Sequence, residues 1–225
     1  MISLYPTILT SDLVLAQQQL DLSASHPDIK TVQIDIIDGQ FADELTLMPL
    51  DLAELDFHGL ECDVHLQVEE PMDYVWELES IKDQLAIRSV IAQVERMSFQ
   101  TDFVAEVKKQ NWRAGLCLDI YTPLSGIDEP MWYELDCVQY MAIEAGAQGT
   151  QFKEQVYEKI AQQKIKQNSL NQPIEIMVDG GIQPPQAKRL IQLGVEGLAV
   201  GSFLWKSPNF SEAVDQLLNS AHSTD

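Results

Sequence analysis

The chain has 225 residues, 45% of them hydrophobic, which is ordinary for a globular protein and too apolar for a disordered one. Its apolar runs fall short of the roughly 20 residues that a membrane helix needs. A formal net charge of −21 excludes non-specific binding to nucleic acid or to an anionic membrane, and any phosphate ligand must be met by local backbone donors.

The N-terminal stretch MISLYPTILTSD carries no basic segment and reaches Asp12 early, so it does not read as a secretory leader. Short, β-rich apolar runs then recur: SLYPTIL, TVQIDIID, CDVHLQV, LAIRSVIAQ, AGLCLDI, CVQYMAIE, IEIMVDGG and GLAVGS. Three cysteines, Cys62, Cys117 and Cys137, lie in or beside these runs without metal-site spacing. Their odd number predicts a reduced, cytoplasmic protein with small buried thiols. Segments of helical period separate the runs. KEQVYEKIAQQKIKQ places Val156 and Ile160 one turn apart. QPPQAKRLIQLG has prolines where a helix starts, Ala187, Leu190 and Ile191 on one face, and Gly194 where the helix stops. In FSEAVDQLLNSA, Ser211 reads as the N-cap, with Val214, Leu217 and Leu218 on one face.

Strands alternating with helices imply parallel βαβ units, and eight repeats in this length predict one short α/β domain, a (β/α)8 barrel over residues 1–225. A doubly wound open sheet is the alternative, but it calls for a glycine-rich turn after the first strand, where PTILTSD has none.

In a barrel, chemistry sits where strands end, and residues two apart share a face. Gln33, Asp35 and Ile37 share one face of the second strand, and Asp63, His65 and Gln67 one face of the third. Asp179 ends the seventh, before two glycines. Singly, each polar residue has an ordinary explanation: Asp179 as a turn cap, His65 as a hydrogen-bonded core histidine, Asp35 as the partner of a distant cation. Only 14 residues are basic, however, and three ionisable groups at strand ends together favour a site. Two Asp and one His suit a first-row metal ion. Two carboxylates on opposite sides of a substrate can also invert a stereocentre beside a carbonyl, one removing a proton and the other returning it. Glycine-bearing loops after strands six (Gly146 to Gly149), seven (Gly180, Gly181) and eight (Gly201, Ser202) predict a phosphate site built from backbone amides.

These residues resemble those of the ribulose-phosphate 3-epimerase family. The resemblance rests on Pro6–Asp12, DIIDGQFADELTLMP (Asp35–Pro49), DVHLQVEEP (Asp63–Pro71), Thr122–Leu124, MAIEAGAQG (Met141–Gly149), VDGGI (Val178–Ile182) and VGS, nearly the whole chain. D-x-x-D-G-x-F together with D-V-H-L is its most specific part. It implies a TIM barrel of the ribulose-phosphate-binding type, acting in carbohydrate metabolism to interconvert D-ribulose 5-phosphate and D-xylulose 5-phosphate. It implies Asp35 and Asp179 as acid–base pair and metal ligands, and His65 as a further ligand of a divalent ion, Zn²⁺ or in its place Mn²⁺, Fe²⁺ or Co²⁺. It implies phosphate held at Gly180, Gly181, Gly201, Ser202, Gly146 and Gly149, Thr7 and Met141 lining the site, and a homo-oligomer.

The chain departs from the family pattern around the same site. Gln33 stands where the family has a histidine ligand; an amide oxygen can coordinate, but it suits Zn²⁺ less well than imidazole. Ile37 and Gln67 replace methionines, Thr7 replaces serine, and Gln93 and Asp119 replace the more usual His and Asn. Glu144 puts a negative charge beside the expected phosphate loop. The sequence therefore predicts a divergent epimerase on this or another ketose phosphate. A binding-only barrel is the second reading. A barrel lyase ranks last, because QIDIID lacks the lysine such enzymes pair with Asp.

Overall fold

The computed structural model describes residues 2–144, 150–171 and 173–220. Eight parallel strands close into a barrel in chain order, β8 pairing back onto β1. They are β1 (Ser3–Ile8), β2 (Thr31–Ile37), β3 (Glu61–Gln67), β4 (Ile87–Gln93), β5 (Arg113–Leu118), β6 (Cys137–Met141), β7 (Glu175–Asp179) and β8 (Gly197–Val200). Around them run α1 (Leu13–Ser25), α2 (Met72–Ile81), α3 (Gln100–Lys109), α4 (Val156–Leu170), α5 (Pro184–Gln192), α6 (Ser202–Trp205) and α7 (Phe210–Asn219). This is the expected (β/α)8 barrel, with one difference: the crossovers after β2 and β5 carry 3₁₀ turns in place of an α-helix. Pro49, Pro123, Gly126 and Pro130 interrupt those segments, and proline both removes a helix donor and clashes with the preceding turn.

The helices are bounded by local chemistry. Asp12 caps α1, its carboxylate accepting from the amides of Val14 and Leu15. Val156 and Ile160 of α4 and Ala187 and Leu190 of α5 are buried, as their spacing predicts. Gly194, at φ +86°, ends α5 in the left-handed region that glycine enters freely. The expected cap of α7 is corrected. Asn209, not Ser211, precedes the helix, and its side-chain oxygen accepts from the Glu212 amide at 3.3 Å. The helix starts earlier because Phe210 packs inward, stacked on Trp205 at 5.4 Å between ring centres.

All seven residues of β2 are buried, because a barrel strand has helices on one side and the interior on the other. Val32, Ile34 and Ile36 point outward into the large core beneath the helices. Burying each such side chain contributes about 1.5–3 kcal/mol. A second apolar cluster lies elsewhere, formed by Tyr5, Ile91, Cys117, Cys137, Met141, Ile143 and Met177. All three cysteines are free and buried, and burial pushes their thiols above the usual range, so they are poor nucleophiles at neutral pH.

Two groups of polar side chains lie on the barrel strands. At the N-terminal end of the strands, Arg88 pairs with Asp63, and Arg113 with Glu175 at 2.6 Å. Tyr5 donates to Glu175 at 2.8 Å beneath the Arg88 guanidinium. Asp63 therefore does not join His65, although both lie on the same face of β3. The second group gathers Asp35, His65 and Asp179.

Candidate active site

Register brings the site together. Asp35 on β2 lies opposite His65 on β3, Met141 on β6 opposite Asp179 on β7, and Gln33 on β2 opposite Thr7 on β1. Asp35, His65 and Asp179 each place a ligating atom within 4.8 Å of the others, and all three are buried. His65 Nδ1 stands 3.0 Å from Asp35 Oδ1 and 3.7 Å from Asp179 Oδ2. Gln33 joins the two carboxylates: its Nε2 donates to Asp35 Oδ1 at 2.9 Å and to Asp179 Oδ2 at 2.7 Å. Asp35 thus sits among glutamine and histidine, while the cation that sequence reasoning allowed for pairs with Asp63 instead.

The electrostatics of Asp179 follow from this crowding. Burial first, and then the Asp35 carboxylate, push its carboxyl up to about 7, with His65 and the Gln33 hydrogen bond acting the other way. Asp179 is therefore poised to hold a proton near neutral pH.

Local turns fix the strand ends. The Thr46 hydroxyl donates to the Asp35 carbonyl and accepts from the Ile37 amide at 2.9 Å. Asp38 makes the expected turn, accepting from the amides of Gln40 and Phe41, and its second oxygen ties across to the Glu69 amide at 2.8 Å. Burial opposes its ionisation, yet these amides hold its carboxyl below the usual range.

Among the described residues, the other expected ones lie toward or just beyond the C-terminal ends of β1, β6, β7 and β8. Thr7 is buried, and its carbonyl accepts from the Trp205 indole at 2.8 Å. Met141 is buried beside Asp179. Gly180 and Gly181 have φ of +105° and +66°, and a Cβ on Gly181 would lie 2.9 Å from the Phe152 amide nitrogen, so this turn accepts only glycine without a shift. Gly181 and Ser202 line a cavity of about 870 Å³ together with Thr150, Phe152 and Lys206. Gly201 precedes Ser202, the first residue of α6. Gly146 and Gly149 lie outside the described residues.

Two features escaped the sequence reading. Glu144 is exposed and paired with Lys153 at 2.7 Å, which also contacts the Tyr121 hydroxyl at 2.5 Å. Its charge is thus countered, and the Lys153 hydrogen bond holds its carboxyl below the usual range. Lys153 lies 118 residues from Asp35 in no motif, so nothing in the sequence marked it. Gln139 donates to Asp179 Oδ2 at 3.2 Å and lies 3.2 Å from His65 Nδ1. Its signal was present: alternation along CVQYM puts Gln139 on the face of Met141.

The residues fit a divalent cation. Asp35, His65 and Asp179 supply two carboxylates and an imidazole at converging positions. Around them, the side-chain oxygens of Gln33, Gln93 and Gln139 are buried without a donor. Each such oxygen costs about 1–3 kcal/mol unless something positive meets it.

Fold and site together define an enzyme of the α/β-barrel class, with ionisable groups at the C-terminal ends of the strands. Solved barrels share the architecture: 3-hexulose-6-phosphate synthase from Salmonella typhimurium aligns with a TM-score of 0.69 at 12% identity over 97% of this chain and 98% of that one. A tryptophan synthase structure from Mycobacterium tuberculosis aligns with a TM-score of 0.71 at 10% identity, covering 99% and 93% of the two chains. At such identities the likeness is one of fold alone. Sequence is more specific. Residues 3–205 match the model of the ribulose-phosphate 3-epimerase family. The ribulose-phosphate 3-epimerase of Bacillus subtilis is 30% identical over 98% of this chain and 100% of its own length. That of Escherichia coli K12 is 27% identical over 94% and 92%, and the chloroplastic enzyme of Arabidopsis thaliana 29% over 93% and 73%. The chain belongs to the ribulose-phosphate 3-epimerase family. No helix among the described residues is long and apolar enough to cross a membrane.

Proposed function

We propose that this chain is a ribulose-phosphate 3-epimerase that inverts C3 of a ketose 5-phosphate, D-ribulose 5-phosphate to D-xylulose 5-phosphate, with Asp35 and Asp179 as the acid–base pair. The observation that carries this reading is the pair of buried carboxylates, each hydrogen-bonded to the same Gln33 amide. Inversion beside a carbonyl needs one carboxylate ionised and the other protonated. In the cation-free site, burial and the mutual repulsion of the two carboxylates favour that division, pushing the Asp179 carboxyl upward. Asp35 removes the C3 proton, leaving a planar enediolate, and Asp179 delivers its proton to the opposite face. The proton count is unchanged, and the pair is left in the exchanged state, ready for the reverse reaction. Asp35, His65 and Asp179 would hold a divalent ion, which when bound would supply positive charge to stabilise the developing enediolate. The backbone at Gly180, Gly181, Gly201 and Ser202 supports a reading as the phosphate cradle, as does the adjoining cavity.

The test is a coupled assay on D-ribulose 5-phosphate with metal-reconstituted protein, together with solvent deuterium exchange at C3. Asp35→Asn and Asp179→Asn are each expected to lose turnover by about 10²–10⁴-fold or more, as general acid–base groups do. Either variant keeping wild-type turnover removes its residue from the pair. Ligand-induced stabilisation without turnover in the wild type would support a binding-only barrel. The Lys153 partner of Glu144 weakens that second reading, since the charge thought to oppose phosphate is already matched.

A further inference from the structure

Three glutamines around the site, Gln33, Gln93 and Gln139, each leave a buried oxygen unmet. Oε1 of Gln33, Gln93 and Gln139 all lack a donor, while their Nε2 groups turn toward the acid–histidine cluster. Buried polar groups without partners mark places where an ion or an ordered water belongs. His65 carries the same message. Its Nδ1 lies 3.0 Å from an Asp35 oxygen, which calls for a proton on Nδ1. The same Nδ1 lies 3.2 Å from Nε2 of Gln139, which calls for a lone pair there. Its Nε2 faces another donor, Nε2 of Gln93, at 3.4 Å. A neutral imidazole has one N–H and one lone pair and cannot meet all three demands.

One positive charge among Asp35, His65 and Asp179 removes the conflict at Asp35 and at Gln93, and the Gln139 amide keeps Asp179 Oδ2, at 3.2 Å, as its acceptor. Nδ1 then offers its lone pair inward and the ring proton resides on Nε2. Turning over the Gln93 amide, which exchanges N and O with almost no change of shape, lets its unmet oxygen accept that proton. Turning over the Gln33 amide likewise places its unmet oxygen against the charge, at the position from which Nε2 now reaches both carboxylates.

We propose that Gln33 is an oxygen ligand of the divalent cation and that Gln93 is the positioning residue that holds His65 in its Nδ1-ligating tautomer. This deepens, and rests on, the reading of Asp35, His65 and Asp179 as a cation site. The consequence is selectivity. Three oxygens and one imidazole nitrogen make a harder donor set than two carboxylates and two imidazoles, and oxygen donors suit Mn²⁺ and Mg²⁺ where imidazole suits Zn²⁺. The glutamine at position 33 therefore shifts the cation preference of this chain away from Zn²⁺.

The experiment uses whole protein stripped with a chelator. Mn²⁺ binding is followed by loss of the free-ion electron paramagnetic resonance signal, and Zn²⁺ by competition against it. Gln33→His is expected to raise the Zn²⁺-to-Mn²⁺ affinity ratio at least about tenfold, or 1.4 kcal/mol. Gln93→Leu is expected to weaken both ions about 10–100-fold without changing the ratio, and Gln93→Glu, which keeps an acceptor, to recover most of the loss. In the wild type, the side-chain amide resonances of Gln33 and Gln93 are expected to move on loading with diamagnetic Mg²⁺ or Zn²⁺, a readout that needs no variant to fold. An unchanged ratio in Gln33→His, or unmoved amide resonances in a loaded protein, overturns the assignment and leaves the cation site standing. Failure of the wild type and of every variant to bind either ion removes the cation site, and the assignment with it.

Discussion

Asp35 and Asp179 are two acids that burial alone would not tolerate, and their surroundings show how the chain accommodates them. Each is hydrogen-bonded to Gln33, and His65 lies between them. The accommodation is incomplete for Asp179, whose carboxyl is pushed from the usual 3.8 to about 7. Between roughly pH 4 and pH 7 the folded protein keeps a proton that the unfolded chain releases, so this group lowers the stability of cation-free protein as pH rises through that window. Metal-stripped Asp179→Asn is therefore expected to melt several degrees above stripped wild type at pH 8, at about 2–4 °C per kcal/mol for a chain of this size, and alongside it near pH 4. Equal melting at both pH values would show that the Asp179 carboxyl carries no such penalty. At this scale the sequence was informative. Asp35, His65 and Asp179 were legible because each interrupts an apolar strand near its end. Gln139 was not singled out, because an uncharged residue in a strand raises no electrostatic question. Lys153 was invisible because its meaning lies wholly in Glu144 and Tyr121, which only the folded chain brings to it.

At the scale of elements, the strands were more legible than the connections. Eight apolar runs correspond to eight strands, since a strand buried on both faces must be nearly continuous in apolar residues. The crossovers after β2 and β5 kept the barrel's connectivity without an α-helix, because Pro49, Pro123, Gly126 and Pro130 deny them one. The start of α7 shows how a boundary is decided. Ser211 and Asn209 are both good cap residues, and packing of Phe210 on Trp205 selects the earlier one. Asn209→Ala is accordingly expected to cost about 1 kcal/mol and Ser211→Ala about half of that or less, read from denaturant midpoints. The reverse order would restore Ser211 as the cap. The turn after β7 is the element whose sequence and shape agree most closely: Gly180 and Gly181 both lie at positive φ against Ile143 and Phe152.

At the scale of the whole molecule, the barrel separates two polar tasks. One group of charges is paired, with Arg88 on Asp63 and Arg113 on Glu175. The other gathers two acids, one histidine and several glutamines. Asp63→Ala leaves Arg88, only 17% exposed, without its bidentate partner, and is expected to destabilise the fold by about 3–5 kcal/mol in denaturant titration. Replacing Arg88 and Asp63 together by apolar residues of similar size is expected to cost less than that single change. A larger loss in the double variant would mean that the pair contributes net stability.

The sequence by itself determined the strand count, the parallel barrel, the family and the three ionisable residues at strand ends, because alternation and burial are local properties of the chain. Only the tertiary structure decided which acids share a site. Asp63 and His65 lie two residues apart on one face and part company, while Asp35 and Asp179 lie 144 residues apart and meet on one amide. The reason is physical. Closing the sheet sets the register of β7 against β8 and of β1 against β2, and that register determines which buried charge finds a guanidinium and which finds glutamine and histidine.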